Sequence, residues 1–324
     1  MLSFMLPELL VSSHSQSGLF TAAQVRAAGY TDSERRARIK SGRWVALRRG
    51  IYAEREVVDN TRSNPYARHQ LEVQASLLAV GRPSFASHTS ACITWSLGLV
   101  TPPPFAVTLT CPDGETHTGR GLRIRVSDLA ADERATASGT PVTTLGRTVF
   151  DTARQLSFRY AVPIADQALR TGQLTTEELE MLLKRYHTWP GVGRASRVIG
   201  FADGRSESVG ESLARVYYAE EGLPSPDLQV EFSDHQGLIG RTDFYWRRYR
   251  TIGEFDGRIK YAADGAVLYA EKRREDRLRT HDEVVRFGHV DITRRRQELR
   301  QRLQAAFARG QQRPPPPSRS PWWP

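Results

Sequence analysis

RTDFYWRRYRTIGEFDGRIK, residues 241–260, holds two apolar runs joined by a basic turn. Asp243 stands at the head of the first run, and Glu254 and Asp256 lie in the second. Side chains alternate faces along a strand, so Glu254 and Asp256, two apart, point the same way, and Asp243 reaches the same edge from the preceding strand. Three carboxylates gathered at one end of a hairpin repel one another unless positive charge sits among them. A hard divalent cation with oxygen ligands meets that need. The stretch therefore predicts a magnesium-dependent phosphodiesterase centre.

The flanking sequence supplies further elements. Upstream, SESVGESLARVYYAEEGLP (206–224) reads as a helix with Val209, Leu213, Val216 and Tyr217 on its apolar face. Glu207 and Glu211 fall in its early turns, where the helix dipole favours anions. LQVEF follows as a strand, and SDHQGLIG as a turn. Downstream, YAADGAVLYAEKRREDRLRTH (261–281) reads as a strongly charged helix, and EVVRFGHVDI closes with a strand containing Arg286.

Taken in order, GESLAR, GLPSPDLQ, RTDFYW, GEFDGRIKY, EKRREDRL and VVRF resemble the core of the PD-(D/E)XK nuclease superfamily, in particular the small nuclease-like domains related to very-short-patch repair endonucleases. The resemblance implies a restriction-endonuclease-like α/β domain over residues 205–293. It places Asp243 as the central metal-ligand aspartate, Glu254 as the acid of the second motif and Glu211 as the helix glutamate that completes a Mg²⁺ site. Such a cation polarises the scissile phosphate and lowers the pKa of a bound water.

One position departs from that pattern. Asp256 stands where the superfamily has its lysine, and the nearest candidate is Lys260, whose role is electrostatic unless its pKa is depressed. Three readings stay open: a metal-dependent endodeoxyribonuclease using Asp243, Glu254, Asp256 and Lys260, a nuclease-like domain that only binds nucleic acid or a partner, or unrelated surface carboxylates on a hairpin. Lys272, Arg273, Arg274 and Arg277 are spaced to track a phosphate backbone, or to pair locally with Glu275 and Asp276.

At the other end, GLFTAAQVRAAGYTDSERRARIKSGRWVALRRGIYA (18–53) predicts a helix capped by Thr21 and ended by Gly29. A second helix begins after Thr31 or Asp32, carries Arg35, Arg36, Arg38 and Lys40, and stops at Gly42. A hairpin turns at Arg48-Arg49-Gly50. Helix, tight turn, basic helix and hairpin is the order of a winged helix-turn-helix, whose second helix enters the major groove of double-stranded DNA while the wing touches phosphate. The alternative is a small helical cap with solvated arginines.

The run GLFTAAQ…AAGY…RRGIYA resembles the N-terminal winged-helix domain of AbiEi-like antitoxins of type IV toxin–antitoxin systems. The resemblance implies promoter binding, repression of the operon and a cognate toxin as protein partner. PVTTLGRTVFDTARQL and ADQALRTG resemble the central region of the same family.

The middle segment, 63–200, reads as an α/β domain. A helix is expected over about 66–80, and Ser87 caps another beside His88. FAVTLTC and LRIRV are strands joined as a hairpin or lying side by side. A helix begins near Thr144 with Arg147 and Asp151 four apart, and Thr175 with Glu178 forms a capping box. GVGRAS (191–196) lacks the lysine and preceding strand of a phosphate loop and reads as a turn.

Composition fits this picture. The 324 residues carry 46 Lys+Arg against 36 Asp+Glu, a net charge of +10, and suit more than one domain with nucleic acid as partner. Cys92 and Cys111 form no CxxC pair, which excludes a zinc ribbon and disfavours a disulfide framework. The opening MLSFMLPELLVSS lacks a basic n-region and carries Glu8, and no apolar run is long enough for a bilayer. A soluble, cytoplasmic protein with no membrane partner is expected. The expected plan is a multidomain α/β protein: a winged helix-turn-helix over 1–60, an α/β middle domain over 63–200, the restriction-endonuclease-like domain over 205–293, and a mobile basic, proline-rich tail over 294–324.

Overall fold

A computed structural model describes residues 5–257 and 265–314. Among them the chain forms a mixed α/β protein with three sheets. It divides into two compact units: Met1–Leu156 with Leu174–Ser196, and Ser157–Gln173 with Arg197–Pro324. The expected middle domain is therefore split. The helix Phe158–Arg170 belongs with the second unit because its buried Asp166 accepts a hydrogen bond from Arg215 at 2.7 Å and another from the Asp203 amide at 2.8 Å.

The first unit opens with short local elements set by their caps. Thr21 and Thr31 each form a capping box, with Gln24 and Glu34, at the starts of the helices Ala22–Ala27 and Asp32–Lys40. The strand Ile51–Glu54 pairs antiparallel with both Leu19–Thr21 and Trp44–Arg48. Beneath this three-stranded sheet Phe20, Tyr30, Trp44 and Tyr52 are buried, with Phe20 edge-on to Trp44 at 4.9 Å.

The rest of that unit is built on a six-stranded mixed sheet. Val107–Cys111 and Leu122–Val126 lie side by side in parallel, so they are not a hairpin. The antiparallel neighbour of Leu122–Val126 is His117–Gly119, from the turn-rich link between them. The helices Pro65–Val80 and His88–Thr94 cover the sheet with Val73 and Ala91 buried, and Leu145–Gln155 starts at the Thr144 cap. Arg147 is only 1% exposed, and its guanidinium donates to Asp151 and Glu133, each at 2.9 Å. The ring of Tyr186 lies 5.1 Å from it and that of Trp189 4.8 Å. GVGRAS, expected to be a turn, is helical from Val192 onward and forms the start of the helix Val192–Phe201.

In the second unit four strands follow the order Asp227–Asp234, Gly237–Trp246, Thr251–Asp256, Glu283–Gly288. The first three are antiparallel, and the last is parallel to Thr251–Asp256, reached through the helix Gly265–Arg279. Tyr218, from the helix Val209–Glu220, packs edge-on against Phe244 at 5.3 Å and Trp246 at 5.0 Å.

The expected mobile tail is corrected over most of its length: Arg296–Gln312 is a helix. Leu299, Leu303, Ala306, Phe307 and Gly310 recur at helical spacing and are buried, which overrides the polar composition around them. Gly310 is required there, since a Cβ on it would sit 1.9 Å from the Tyr249 carbonyl oxygen. The proline-rich end from residue 315 lies outside the described residues. Leu303→Ala should lower stability by about 2–4 kcal/mol, while exposed Gln304→Ala should change it by less than about 0.5 kcal/mol, as read by chemical denaturation.

Candidate functional site

The carboxylates singled out in the sequence occupy one edge of the four-stranded sheet. Phe244 registers against Gly253, which carries Asp243 to the level of Glu254. Asp243 Oδ2 accepts the Phe255 amide at 2.7 Å. From the helix Val209–Glu220, Glu211 approaches closely enough for its charge, like that of Glu254, to act on Asp243. Gly210 permits this approach, because a Cβ there would meet the Phe255 ring at 2.1 Å. Burial, with Glu211 and Glu254 adding repulsion, pushes the Asp243 carboxyl up to about 6.

The neighbouring acids are held by the chain's own donors. Glu211 Oε2 accepts from the Glu207 amide at 2.8 Å and from Gln229 Nε2 at 2.9 Å, and its Oε1 accepts from the Ser208 hydroxyl at 2.8 Å. Glu254 Oε1 accepts from Arg274 at 2.7 Å, with the Glu254 side chain 10% exposed. Asp256 is clasped by Arg286 at 2.6 Å, and the same guanidinium also binds Glu271 and Glu275. Lys260, the proposed stand-in for the superfamily lysine, lies outside the described residues. Among the described residues no three His, Cys, Asp or Glu side chains form a group that could hold a metal ion. As arranged, the donor set does not fit a divalent cation: Glu211 is engaged on both oxygens, and the positive charge beside Glu254 is the Arg274 guanidinium.

Sequence reasoning passed over Gln229. It closes the quoted GLPSPDLQ segment, yet its backbone is left-handed, with φ of 56°, and its side chain reaches Glu211. A non-glycine residue held in that region is a strained position fixed by its surroundings.

The basic residues fall into two groups. In the helix Asp32–Lys40, Arg36 and Lys40 are exposed and have no ion-pair partner among the described residues, and the same holds for Arg49 at the hairpin turn. Arg35 is held by Asp32 and by the Tyr52 hydroxyl at 2.6 Å, and Arg38 lies over Tyr30 and Trp44. Arg48 is engaged inward, at 2.9 Å from both Glu72 and the Gly121 carbonyl. In the helix Gly265–Arg279, Lys272 is exposed while Arg274 is spent on Glu254 and the Arg241 carbonyl.

No family model matches the chain. It is similar to two uncharacterized proteins of Mycobacterium tuberculosis, MT2308 and Rv2248, each 34% identical over 141 residues, 44% of this chain and 52% of the relative. The chain thus spans about half the length of the curated relatives it matches. Among solved structures it is similar to that of the RV2827C protein from Mycobacterium tuberculosis, with 17% identity, a TM-score of 0.41, and coverage of 68% of this chain and 83% of that one. No helix among the described residues is long and apolar enough to cross a membrane.

The raised Asp243 carboxyl makes a pH-dependent prediction. Its folded pKa lies above the unfolded value, so its contribution lowers stability as pH rises from about 4 to about 6 and is constant above that. Asp282, also pushed up to about 6, acts in the same window, so the difference between wild type and Asp243→Asn isolates Asp243. In metal-free buffer near pH 7, Asp243→Asn should be more stable by about 1–3 kcal/mol, with the gain vanishing near pH 4 in denaturation measured across that range.

Proposed function

We propose that the chain is a DNA-binding regulator of the toxin–antitoxin or defence type, with a winged helix-turn-helix at its N-terminus and a PD-(D/E)XK-like fold at its C-terminus that binds nucleic acid or a protein partner without cleaving. One observation carries the DNA-binding half. The helix Asp32–Lys40 presents Arg36 and Lys40 to solvent with no ion-pair partner among the described residues, and Arg49 is exposed at the hairpin turn. Guanidinium and ammonium groups left unneutralised on a helix and an adjoining hairpin suit a phosphate backbone. The non-catalytic half rests on the Arg274–Glu254 pair and on the capture of Asp256 by Arg286. These contacts fill with arginine the place where cleavage would need a metal and a mobile cation. An AbiEi-like role implies operator DNA and a cognate toxin as partners.

A second reading, metal-dependent endonuclease activity, is favoured by the Asp243 carboxyl, which is half-buried, repelled by Glu211 and Glu254 and hydrogen-bonded to a backbone amide, with Arg274 acting on it only through its charge. In that reading Asp243 and Glu254 would hold Mg²⁺ with Glu211 beside them, which would require Arg274 to leave Glu254.

One measurement tests the DNA-binding half and a second separates the two readings. Replacing Arg36 and Lys40 together by Ala should weaken duplex binding and reduce the slope of log K against log salt by up to roughly 2, about 0.9 for each lost phosphate contact. An unchanged slope would remove the winged-helix interface. Plasmid nicking with Mg²⁺ or Mn²⁺ should be equally absent from wild type, Asp243→Ala and Glu254→Ala. Nicking by wild type that both substitutions abolish would establish the second reading in its place.

A further inference from the structure

Away from the carboxylate edge, the first unit contains a cavity of about 230 Å³ whose lining includes Arg125, Arg147 and Arg154 but a single acid, Asp151. The acid is already shared: Asp151 accepts from Arg147 at 2.9 Å and from Arg154 at 2.8 Å. Arg147 has a second counter-ion in Glu133, whereas Arg125 has no carboxylate partner among the described residues. Arg125 donates through Nη2 to Gln155 Oε1 at 3.0 Å, and its Nε is buried without a partner. Two more buried polar groups of lining residues are unpartnered, Arg154 Nε and the hydroxyl of Thr110, a residue only 1% exposed. Buried polar atoms are nearly always hydrogen-bonded, so three unmet ones on residues that line one cationic cavity leave donors for which the chain itself supplies no acceptor.

The wall behind Arg125 is fixed by a relay. Gln155 Nε2 lies 2.9 Å from His88 Nε2, and His88 Nδ1 lies 3.0 Å from Ser87 Oγ. Burial holds the His88 imidazole down at about 4, so at neutral pH it is uncharged, accepting from Gln155 and donating to Ser87. His88 also stands at φ of 55°, a strained backbone for a non-glycine residue. The charged groups acting on it are Asp151, Arg125, Arg154 and Arg147, which are those of the cavity itself. Burial together with repulsion from Arg123 and Arg154 lowers the Arg125 pKa, the condition an incoming anion relieves.

We propose that this cavity binds a small phosphate-type oxyanion, with Arg125 as its principal counter-ion and Thr110 and Arg154 as further donors. A guanidinium fork matches phosphate oxygens in pairs, and the chemistry is the same for inorganic phosphate and for the phosphate end of a small phosphomonoester. The site does not depend on the carboxylate edge or on the DNA-binding helix.

Calorimetric titration of the full chain with inorganic phosphate and with adenosine monophosphate, at constant ionic strength set by chloride, tests this. Wild type should bind at least one of them, and Arg125→Gln should bind it at least about tenfold more weakly with an unchanged Tm in chloride. Tighter binding of the monophosphate identifies a phosphomonoester ligand, and equal binding identifies the free oxyanion; both support the proposal. If Arg125→Gln does not fold, Thr110→Val decides by the same loss or its absence. Identical titrations of wild type and variant, or no binding of either probe, overturn the proposal. So does displacement of phosphate by a short DNA duplex, which would make the cavity a backbone contact.

Discussion

A carboxylate removed from water has to be met by a cation or by several donors, and in this protein arginine meets it repeatedly. Arg147 serves Glu133 and Asp151, Arg215 serves Asp166 and Arg274 serves Glu254. Breaking one side of a buried pair leaves a charge uncompensated at a cost of about 3–5 kcal/mol, so these contacts fix which elements lie together. Asp243 is the exception. Its hydrogen-bond donor among the described residues is the Phe255 backbone amide, and its carboxyl is correspondingly the one at the sheet edge that resists ionisation.

The same constraint governs how the net positive charge is distributed. Much of the arginine that makes the composition look like that of a nucleic-acid binder is engaged inside the fold, as Arg48 and Arg147 show. What remains for an outside partner is a smaller set, including Arg36, Lys40, Arg49 and Lys272, all exposed. Net charge alone overstates the electrostatic footprint, and the location of the unneutralised groups is the more informative quantity.

What could be read from residues beforehand was local. The caps at Thr21, Thr31, Thr144 and Thr175 lie within a few residues of the groups they bind, so their signals are contiguous in sequence. The alternation in 241–256 likewise marked the strands that carry Asp243 and Glu254. The parallel pairing of Val107–Cys111 with Leu122–Val126 was open because strand direction depends on a non-local register. The commitment of Arg274 to Glu254 and of Arg48 to Glu72 was hidden, since nothing in an arginine's sequence neighbourhood names a partner 20 or more residues away. The C-terminal helix carried its spacing at Leu299, Leu303, Ala306 and Phe307 openly, but arginine and proline around it dominated the reading. The left-handed Gln229 had no glycine to announce it.

The path of the chain has a consequence for how the molecule is made. The polypeptide leaves the first unit after Leu156, gives Ser157–Gln173 to the second, and returns for Leu174–Ser196 before finishing in the second. During synthesis the helix Phe158–Arg170 emerges before Arg215, the residue that neutralises its buried Asp166. That helix must wait, with its acid solvated, while the first unit completes itself around a later segment. No single cut separates the two units into contiguous pieces, so gene fusions and recombination that treat residue 200 as a seam would strand a helix on the wrong side of it.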